Sequence, residues 1–521
     1  MGEDNIFRRF PNLPEMVVAF IKKLVGIIAG KDSELAAKDA ELADKSAALA
    51  EREKKLAELE LENKKLKERL GLNSSNSSKP PSTDGYNKPA ADSNKSSKKR
   101  SLRKKTGREP GAQPGHKGHG MKFISEQPDT IEEHLPEPCR GCQMQSVCSR
   151  ECIAIQNEIA IVMMPVRIQH RTYEFICPMR GGEILTCEKP FTGTNRYGNS
   201  VIAFCELLFQ LGVVSVNRIC KIFKSSFGIS IAGGTVQSFH EVCSKKVADA
   251  ITLIKELLIE SPVVHYDESG HRVAGKLGWM HTATNKQYTY LSIQNKRGSV
   301  GMKAAGVINK FKGTAVTDCW APYFTFDDLK NALCCEHLTR ELINRWENTK
   351  QIWTLRLIVH LHRTNKKKQQ LMEQGIHAFS QEELEHISSI YSRIVDSGIR
   401  LNPLPERSPG QKGRLPRGKT RALLDRCEKY KAEFLRFAYD FQVPFTNNEA
   451  EQSLRVNRIK ENMSGCFRTI LGAEYWTNVM SYLQTTAKHN ISTMDALKLS
   501  LDGKAVDLIR SFAAPIAQAT E

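Results

Sequence analysis

What the sequence lacks narrows its class. No apolar run approaches the ~18–20 residues that a bilayer-spanning helix needs, which excludes an integral membrane protein. The opening residues, MGEDNIFRRFPNLPEM, carry neither the basic start nor the apolar centre of a signal peptide, so the expected location is the cytoplasm. Acidic residues are in deficit: Asp+Glu 58 against Lys+Arg 76 gives a formal net charge of +18 over 521 residues. A chain so unbalanced favours a polyanion as partner. Apolar residues, at 40%, are not in deficit, which excludes a wholly disordered protein. The length suits several domains of roughly 100–200 residues. Fourteen cysteines in a reducing compartment do not read as a disulfide framework; a clustered subset reads as metal ligands.

The first expected domain is 1–72. Residues 15–30 are apolar and suit a short helix that docks or pairs. From Lys31 to Leu70 the chain turns to Ala, Glu, Lys and Leu, the composition of a long exposed helix. Leu35, Leu42, Leu49 and Leu56 recur every seventh residue, and Leu56, Leu59, Asn63, Leu66 and Leu70 follow a and d spacing. An Asn at an a position sets register and oligomeric state. Lys38, Lys45 and Arg52 hold the matching d positions and weaken the first half. The pattern predicts a self-associating coiled coil, hence a homodimer or higher assembly. The plainer reading is a single solvated helix lying on its own protein.

Residues 73–125 are a different material, rich in Ser, Asn, Pro and Gly and too poor in apolar groups for a core. Within 73–123, twelve basic and three acidic residues leave +9, half the excess of the whole chain in a tenth of its length. The segment reads as a flexible tether. Its basic run, Lys98, Lys99, Arg100, Arg103, Lys104 and Lys105, would also bind DNA phosphates through charge and counterion release.

Residues 126–190 carry Cys139-Arg-Gly-Cys142, then Cys148 and Cys152, with Cys177-Pro after a strand-like stretch. A CxxC followed by further thiols in a weakly cored segment suits a tetrahedral structural zinc site. The second CxxC is missing, because Arg180 stands where a cysteine would complete it. Four of Cys139, Cys142, Cys148, Cys152 and Cys177 would serve; the alternative is a set of reduced, buried thiols. Residues 191–258 read as amphipathic helices with a turn at Gly233-Gly234-Thr235, the look of a short DNA-facing helix–turn–helix bundle or of an ordinary helical core.

At Ser261 the pattern switches to strands. SPVVHYDESGHRV, GKLGWMHTAT and QYTYLSIQ read as a β-meander, followed by the helix-like MKAAGVINKF and a fourth strand in GTAVTDCWAPYF. That order fits a ribonuclease-H-like α/β core, with a first part at 259–336 and a last part at 431–495. Asp267 is expected at the end of the first strand and Asp318 at the end of the fourth, so two carboxylates 51 residues apart converge. Phosphodiester chemistry wants such a pair, because two Mg²⁺ ions about 3.5–4 Å apart neutralise the attacking and leaving oxygens. Magnesium takes hard oxygen ligands and keeps several waters, so three carboxylates suffice. The third acid falls in PFTNNEAEQSLRVNRIK, a helix after Pro444 and the Asn447-Asn448 cap, where Glu449 and Glu451 are both candidates. Glu451, Arg455 and Arg458 lie at i, i+4 and i+7, one stripe with an acid and two cations that suit metal and DNA backbone; an i, i+4 ion pair on a wet face is the plainer reading. The 133 residues from Asp318 to Glu451 hold a helical insertion at 337–430, and 496–521 is a C-terminal tail.

These residues make the chain recognisable. It resembles the insertion-sequence-66 family of bacterial DDE transposases, in their large subunit. Asn73-Ser-Ser-Asn-Ser-Ser-Lys-Pro-Pro-Ser is similar to the family's linker motif and Gly111-Ala-Gln-Pro-Gly-His-Lys-Gly-His to its Gly/His motif. The leucine repeat resembles its zipper and the Cys139 cluster its zinc finger. Tyr266-Asp267-Glu268 resembles its first catalytic motif, Thr317-Asp318-Cys319-Trp320 its second, and Asn447-Asn448-Glu449-Ala450-Glu451-Gln452 its third, as does the following Lys460–Arg468 segment. His337-Leu-Thr-Arg340-Glu341-Leu342, at the start of the insertion, resembles a further motif. The resemblance implies Asp267, Asp318 and Glu451 as the catalytic triad, two Mg²⁺ ions with Mn²⁺ as a substitute, and structural zinc. For zinc it favours Cys139, Cys142, Cys148 and Cys177, with Cys152 in reserve. The implied partners are double-stranded DNA bearing terminal inverted repeats, target DNA and small companion proteins of the same element, with the protein acting on the nucleoid. Two other classes compete: a catalytically silent DNA-binding regulator on this scaffold, which the intact acids argue against, and a plain ribonuclease-H-like nuclease, which would need neither zipper nor basic tether.

Overall fold

A computed structural model describes residues 15–70, 131, 164–177, 183–186, 189–191, 194–404 and 417–513. Contacts divide them into two units. One holds the N-terminal helix and Thr339–Arg356; the other holds the described residues from 131 to Leu338 and from Leu357 onward. The basic run from Lys98 to Lys105 and the thiols of Cys139, Cys142, Cys148 and Cys152 lie outside the described residues.

In the first unit, α1 (Glu15–Leu70) is one continuous helix. The apolar start and the leucine repeat are therefore not two elements. Gly26 and Gly30 cost roughly 1 kcal/mol each relative to Ala, too little to break a helix that no proline interrupts. Leu35, Leu42, Leu49, Leu56, Leu59 and Leu66 all remain exposed. Lys38 and Lys45 pair with Glu34 and Glu41 one turn earlier.

The second unit begins with a two-stranded antiparallel ladder, β1 (Glu174–Cys177) with β2 (Glu183–Thr186). Three helices follow: α2 (Asn199–Gln210), α3 (Val216–Phe227) and α4 (Gly233–Ile259). Ile219 and Phe223 of α3 pack with Cys205, Val236 and Phe239 in a small apolar core, while Arg218, Lys221 and Lys224 face solvent. Gly228, at φ +66°, ends α3 in the left-handed conformation that side chains resist, and the chain turns over 228–232. Gly233 and Gly234 thus open α4 rather than making the turn.

The sheet contains β3 (Val263–Val273), β4 (Lys276–Thr284), β5 (Thr289–Gln294), β6 (Thr314–Thr317) and β7 (Lys330–Leu333), with α5 (Ser299–Ala305) between β5 and β6. Its order is β5-β4-β3-β6-β7; the meander is antiparallel, and β3–β6 and β6–β7 are parallel. This mixed α/β arrangement is compatible with a ribonuclease-H-like core. The strand β7 was not legible in the sequence, because four residues, KNAL, carry no alternation; they form a strand because β6 offers an unpaired edge.

Helices occupy the long insertion: α6 (Cys335–Thr349), α7 (Ile352–Glu373), α8 (Gln381–Leu401), α9 (Gly418–Lys429), and the single turns α10 (Lys431–Phe434) and α11 (Arg436–Tyr439). The chain then forms α12 (Asn448–Ser464), α13 (Ile470–Lys488), α14 (Thr493–Leu501) and α15 (Ala505–Ala513). One face of the sheet, through Val264, Tyr266 and Ala283, joins a core with α4, α13, α14 and α15; the other, through Val273, Met280 and Leu291, packs on Leu454 and Trp476. The edge strand β5 is sealed by α13: Thr485 Oγ1 accepts from the Thr289 amide at 3.0 Å and Ser481 Oγ from the Leu291 amide at 2.8 Å.

Trp476 is fully buried in the second core and donates Nε1–H to Asn457 Oδ1 at 2.8 Å. Trp476→Ala is expected to cost about 3–5 kcal/mol of stability, read by denaturant unfolding of the full chain; a loss below about 1 kcal/mol would show the core collapsing onto the gap.

Candidate active site

Strand β3 carries the first carboxylate. Asp267 sits fifth in an eleven-residue strand, not at its end as the apolar pattern suggested, because β3 runs on into the β3–β4 hairpin. That hairpin closes through Ala274 at φ +50° and Gly275 at φ +77°, and the strained Ala274 amide is held by Phe467 O at 2.8 Å. The strand β6, by contrast, stops one residue before Asp318.

The parallel ladder sets the pair. Val263 lies against Thr314, Val264 against Ala315 and His265 against Val316. Extended by two steps, that register matches Asp318 with Asp267, and the Asp318 charge is among those acting on the Asp267 carboxyl. Asp267 also lies opposite Thr282, whose hydroxyl meets Ser453 Oγ of α12 at 2.9 Å. Asp267 and α12 therefore share one face of the sheet.

Helix α12 is fixed by its N-cap residue. The buried Asn447 donates Nδ2–H to Tyr266 O at 2.8 Å, and its Oδ1 lies 2.8 Å from His265 Nδ1. Its amide meets Cys334 Sγ at 3.2 Å. Glu451 follows one turn later, with its carboxylate 3.8 Å from His337 Nε2. Glu449 points elsewhere, 3.8 Å from Lys488 Nζ and 41% exposed. Of the two candidate acids, Glu451 is the one whose charge reaches Asp267 among the leading influences. Arg455 is exposed and Arg458 half-buried on the same helix.

The electrostatics are those of crowded acids. Burial first, then the charges of Glu268, Asp318 and Glu451, push the Asp267 carboxyl well above its ordinary range, against a lowering by the Glu268 amide, which donates to Asp267 Oδ1 at 2.8 Å. Among the described residues, no group of three or more His, Cys, Asp or Glu side chains closes around one point. Hard oxygens held in this crowd are the donor chemistry that a divalent cation relieves. Of the proposed zinc ligands only Cys177 is described, as the last residue of β1.

Several contributors were not legible beforehand. Asn447 was read only as a helix cap, since its contacts to β3 span more than 180 residues. His337 had a motif but no role until the fold placed it against Glu451. Glu268, next to the first aspartate, is buried and bonded to Arg297 and Tyr323.

A raised carboxyl pKa in the folded state means that the unfolded chain releases its proton first. Stability therefore falls as pH rises from the ordinary carboxylate range through the folded value, so the group burdens the fold above that range. Asp267→Asn removes that charge and keeps an oxygen for the Glu268 amide. Its melting temperature in chelator at pH 7 is expected to exceed that of the wild type; a lower one would mean that Asp267 is stabilised by contacts rather than strained by charge.

Residues 196–475 match the family described as Transposase IS66 family, and residues 28–122 match a family of unknown function. A search of curated proteins found no match. No helix among the described residues is long and apolar enough to cross a membrane. The first match covers more than half of the chain and takes in Asp267, Asp318 and Glu451. The chain belongs to the IS66 family of transposases.

Proposed function

We propose that this transposase-family protein is a DDE enzyme that cleaves DNA at the terminal inverted repeats of its own insertion sequence and joins the freed ends to target DNA. The observation that carries the reading is the β3–β6 register, which, extended by two steps, matches Asp318 with Asp267, a residue on the sheet face that receives the Glu451 helix. Asp267, Asp318 and Glu451 would hold two Mg²⁺ ions, or Mn²⁺. When bound, such ions neutralise charge on the attacking and leaving oxygens.

The chain's own residues do the remaining work. The Glu268 amide orients Asp267 through Oδ1. Asn447 fixes the start of α12 against β3, and His337 restrains the Glu451 carboxylate. Water is the first nucleophile, and the freed 3′-hydroxyl is the second. Affinity for DNA comes from basic groups: Arg455 and Arg458 on α12, the 98–105 run of the tether, and the exposed Arg218, Lys221 and Lys224 of α3. Zinc held by Cys139, Cys142, Cys148 and Cys177, with Cys152 as substitute, would fold the segment between tether and body; purified protein free of zinc would remove that assignment. The working location is the cytoplasm, on the nucleoid, with companion proteins of the same element as further partners.

Cleavage tests the central claim. A duplex made from the DNA flanking the coding region should be cut by the full-length protein in Mg²⁺ or Mn²⁺. Alanine at Asp267, Asp318 or Glu451 should abolish cutting and leave binding within about twofold, since affinity rests on basic groups. Glu451→Ala that cuts normally, with Glu449→Ala inactive, would move the third acid to Glu449. Wild-type protein that binds ends but never cuts them would favour a silent regulator.

The exposed leucines of α1 are proposed to pair two copies, so that two element ends are held before cutting. Deleting residues 31–70 is expected to leave single-end binding intact and to convert dimers on end DNA into monomers in light-scattering measurements. A wild-type chain that stays monomeric on paired ends would end the zipper.

A further inference from the structure

Arg297 lies in the connection between β5 and α5. Its guanidinium packs on two indoles, 4.5 Å from the ring centre of Trp279 and 4.0 Å from that of Trp320. Its Nε and Nη2 donate to Glu268 Oε1 at 3.2 and 2.9 Å, and Tyr323 Oη donates to Glu268 Oε2 at 2.7 Å. Glu268 is adjacent in sequence to Asp267, and Trp320 lies two residues beyond Asp318. In sequence the cage adjoins the two aspartates, but alternation along β3 turns Glu268 to the α5 face of the sheet, opposite Asp267. Tyr323 lies within their field as well: burial first, then the charges of Glu268, Asp267 and Asp318, push its hydroxyl well above the usual phenol range.

The exposures are unequal. The Glu268 side chain is 2% exposed, whereas that of Arg297 keeps 42%. The Arg297 guanidinium is held by two indoles and along one edge, and its Nη1 makes no hydrogen bond among the described residues. Arginine's rotamer entropy is already lost in such a cage, so little more is lost when the open edge meets a ligand. A planar fork of N–H donors with one edge open is matched by the oxygens of a phosphate.

We propose that Arg297 is a phosphate-positioning residue: its open guanidinium edge binds one backbone phosphate of bound DNA on the α5 side of the sheet, while Trp279, Trp320 and Glu268 hold it in place. This rests on the transposase reading and adds to it a subsite on the α5 side of the sheet. The contact sets the strand's register and carries no base specificity.

The test uses the full-length protein and a duplex from the DNA flanking the coding region, with an uncharged methylphosphonate placed at one position at a time. Wild-type protein should lose about tenfold in affinity when one particular phosphate is neutralised, the scale of a charge-assisted hydrogen bond. Arg297→Ala should bind the unmodified duplex about tenfold more weakly and be indifferent to that same replacement. Its salt slope should fall by about one. Arg297→Lys should recover the salt slope and only part of the affinity, because an ammonium lacks the fork. The double variant Glu268→Gln/Arg297→Ala removes both charges. It should melt near the wild type yet bind as weakly as Arg297→Ala. A double variant with wild-type affinity and salt slope would overturn the proposal and leave Arg297 as the partner of Glu268 alone. So would equal sensitivity of wild type and Arg297→Ala at every position, a comparison that survives even if the double variant folds poorly. These binding readouts need no cleavage. Wild-type protein that couples Arg297 to one phosphate but cuts no better than Asp318→Ala would sink the transposase reading and spare the subsite.

Discussion

The geometry of the site depends on α12 being pinned to β3 at both ends. At its start Asn447 grips the His265–Tyr266 backbone and ring. Near its end Glu461 accepts from the Arg272 amide at 3.1 Å, and beyond it the Phe467 amide donates to Arg272 O at 2.9 Å. A rod fixed at two points on a strand cannot pivot. Glu451 therefore approaches Asp267 even though the two charges repel. The cost is stored in the raised carboxyl pKa and offset by the apolar contacts of Leu454 and Trp476 under the same helix.

The sheet pairs the aspartates by a different device. Parallel strands need a long crossover, and here it comprises the β4–β5 meander and α5. The β3–β6 ladder is only three residues long, and β6 ends one residue before Asp318. Beyond that point β3 continues without β6 as a partner. In open α/β sheets ligands gather at the carboxyl ends of strands, because pairing stops there and polar groups are left to face solvent.

Local signals carried the elements, and long-range contacts decided what they do. The meander, the strand before Asp318 and the helix after Asn447 were all legible, since each has its own periodicity or cap. The true position of Asp267 within β3 was not, because strand length is set by the hairpin at Ala274-Gly275 and by Phe467, nearly 200 residues later. Residue pattern alone left Glu449 and Glu451 open, and the motif resemblance pointed to Glu451; both lie in the first turn of α12, and the packing of that helix sends one toward Lys488 and the other toward His337. The apolar start of α1 looked like a separate element because hydropathy changes at Lys31, yet backbone hydrogen bonding does not respond to that change.

The seal on β5 has a consequence for how the chain is made. Leu291 and the hydroxyl that caps its amide are 190 residues apart. At ribosomal rates of about 5–20 residues per second, roughly 10–40 s pass between synthesis of the strand and arrival of α13. Throughout that interval the nascent meander presents an open β edge to whatever else is nearby, including a neighbouring nascent copy. The 190 intervening residues include the largely helical insertion, whose contacts are mostly local, so its helices can form while the edge is still waiting. Synthesis speed across that insertion, rather than the strength of the finished core, then governs how much of the product escapes pairing with the wrong chain.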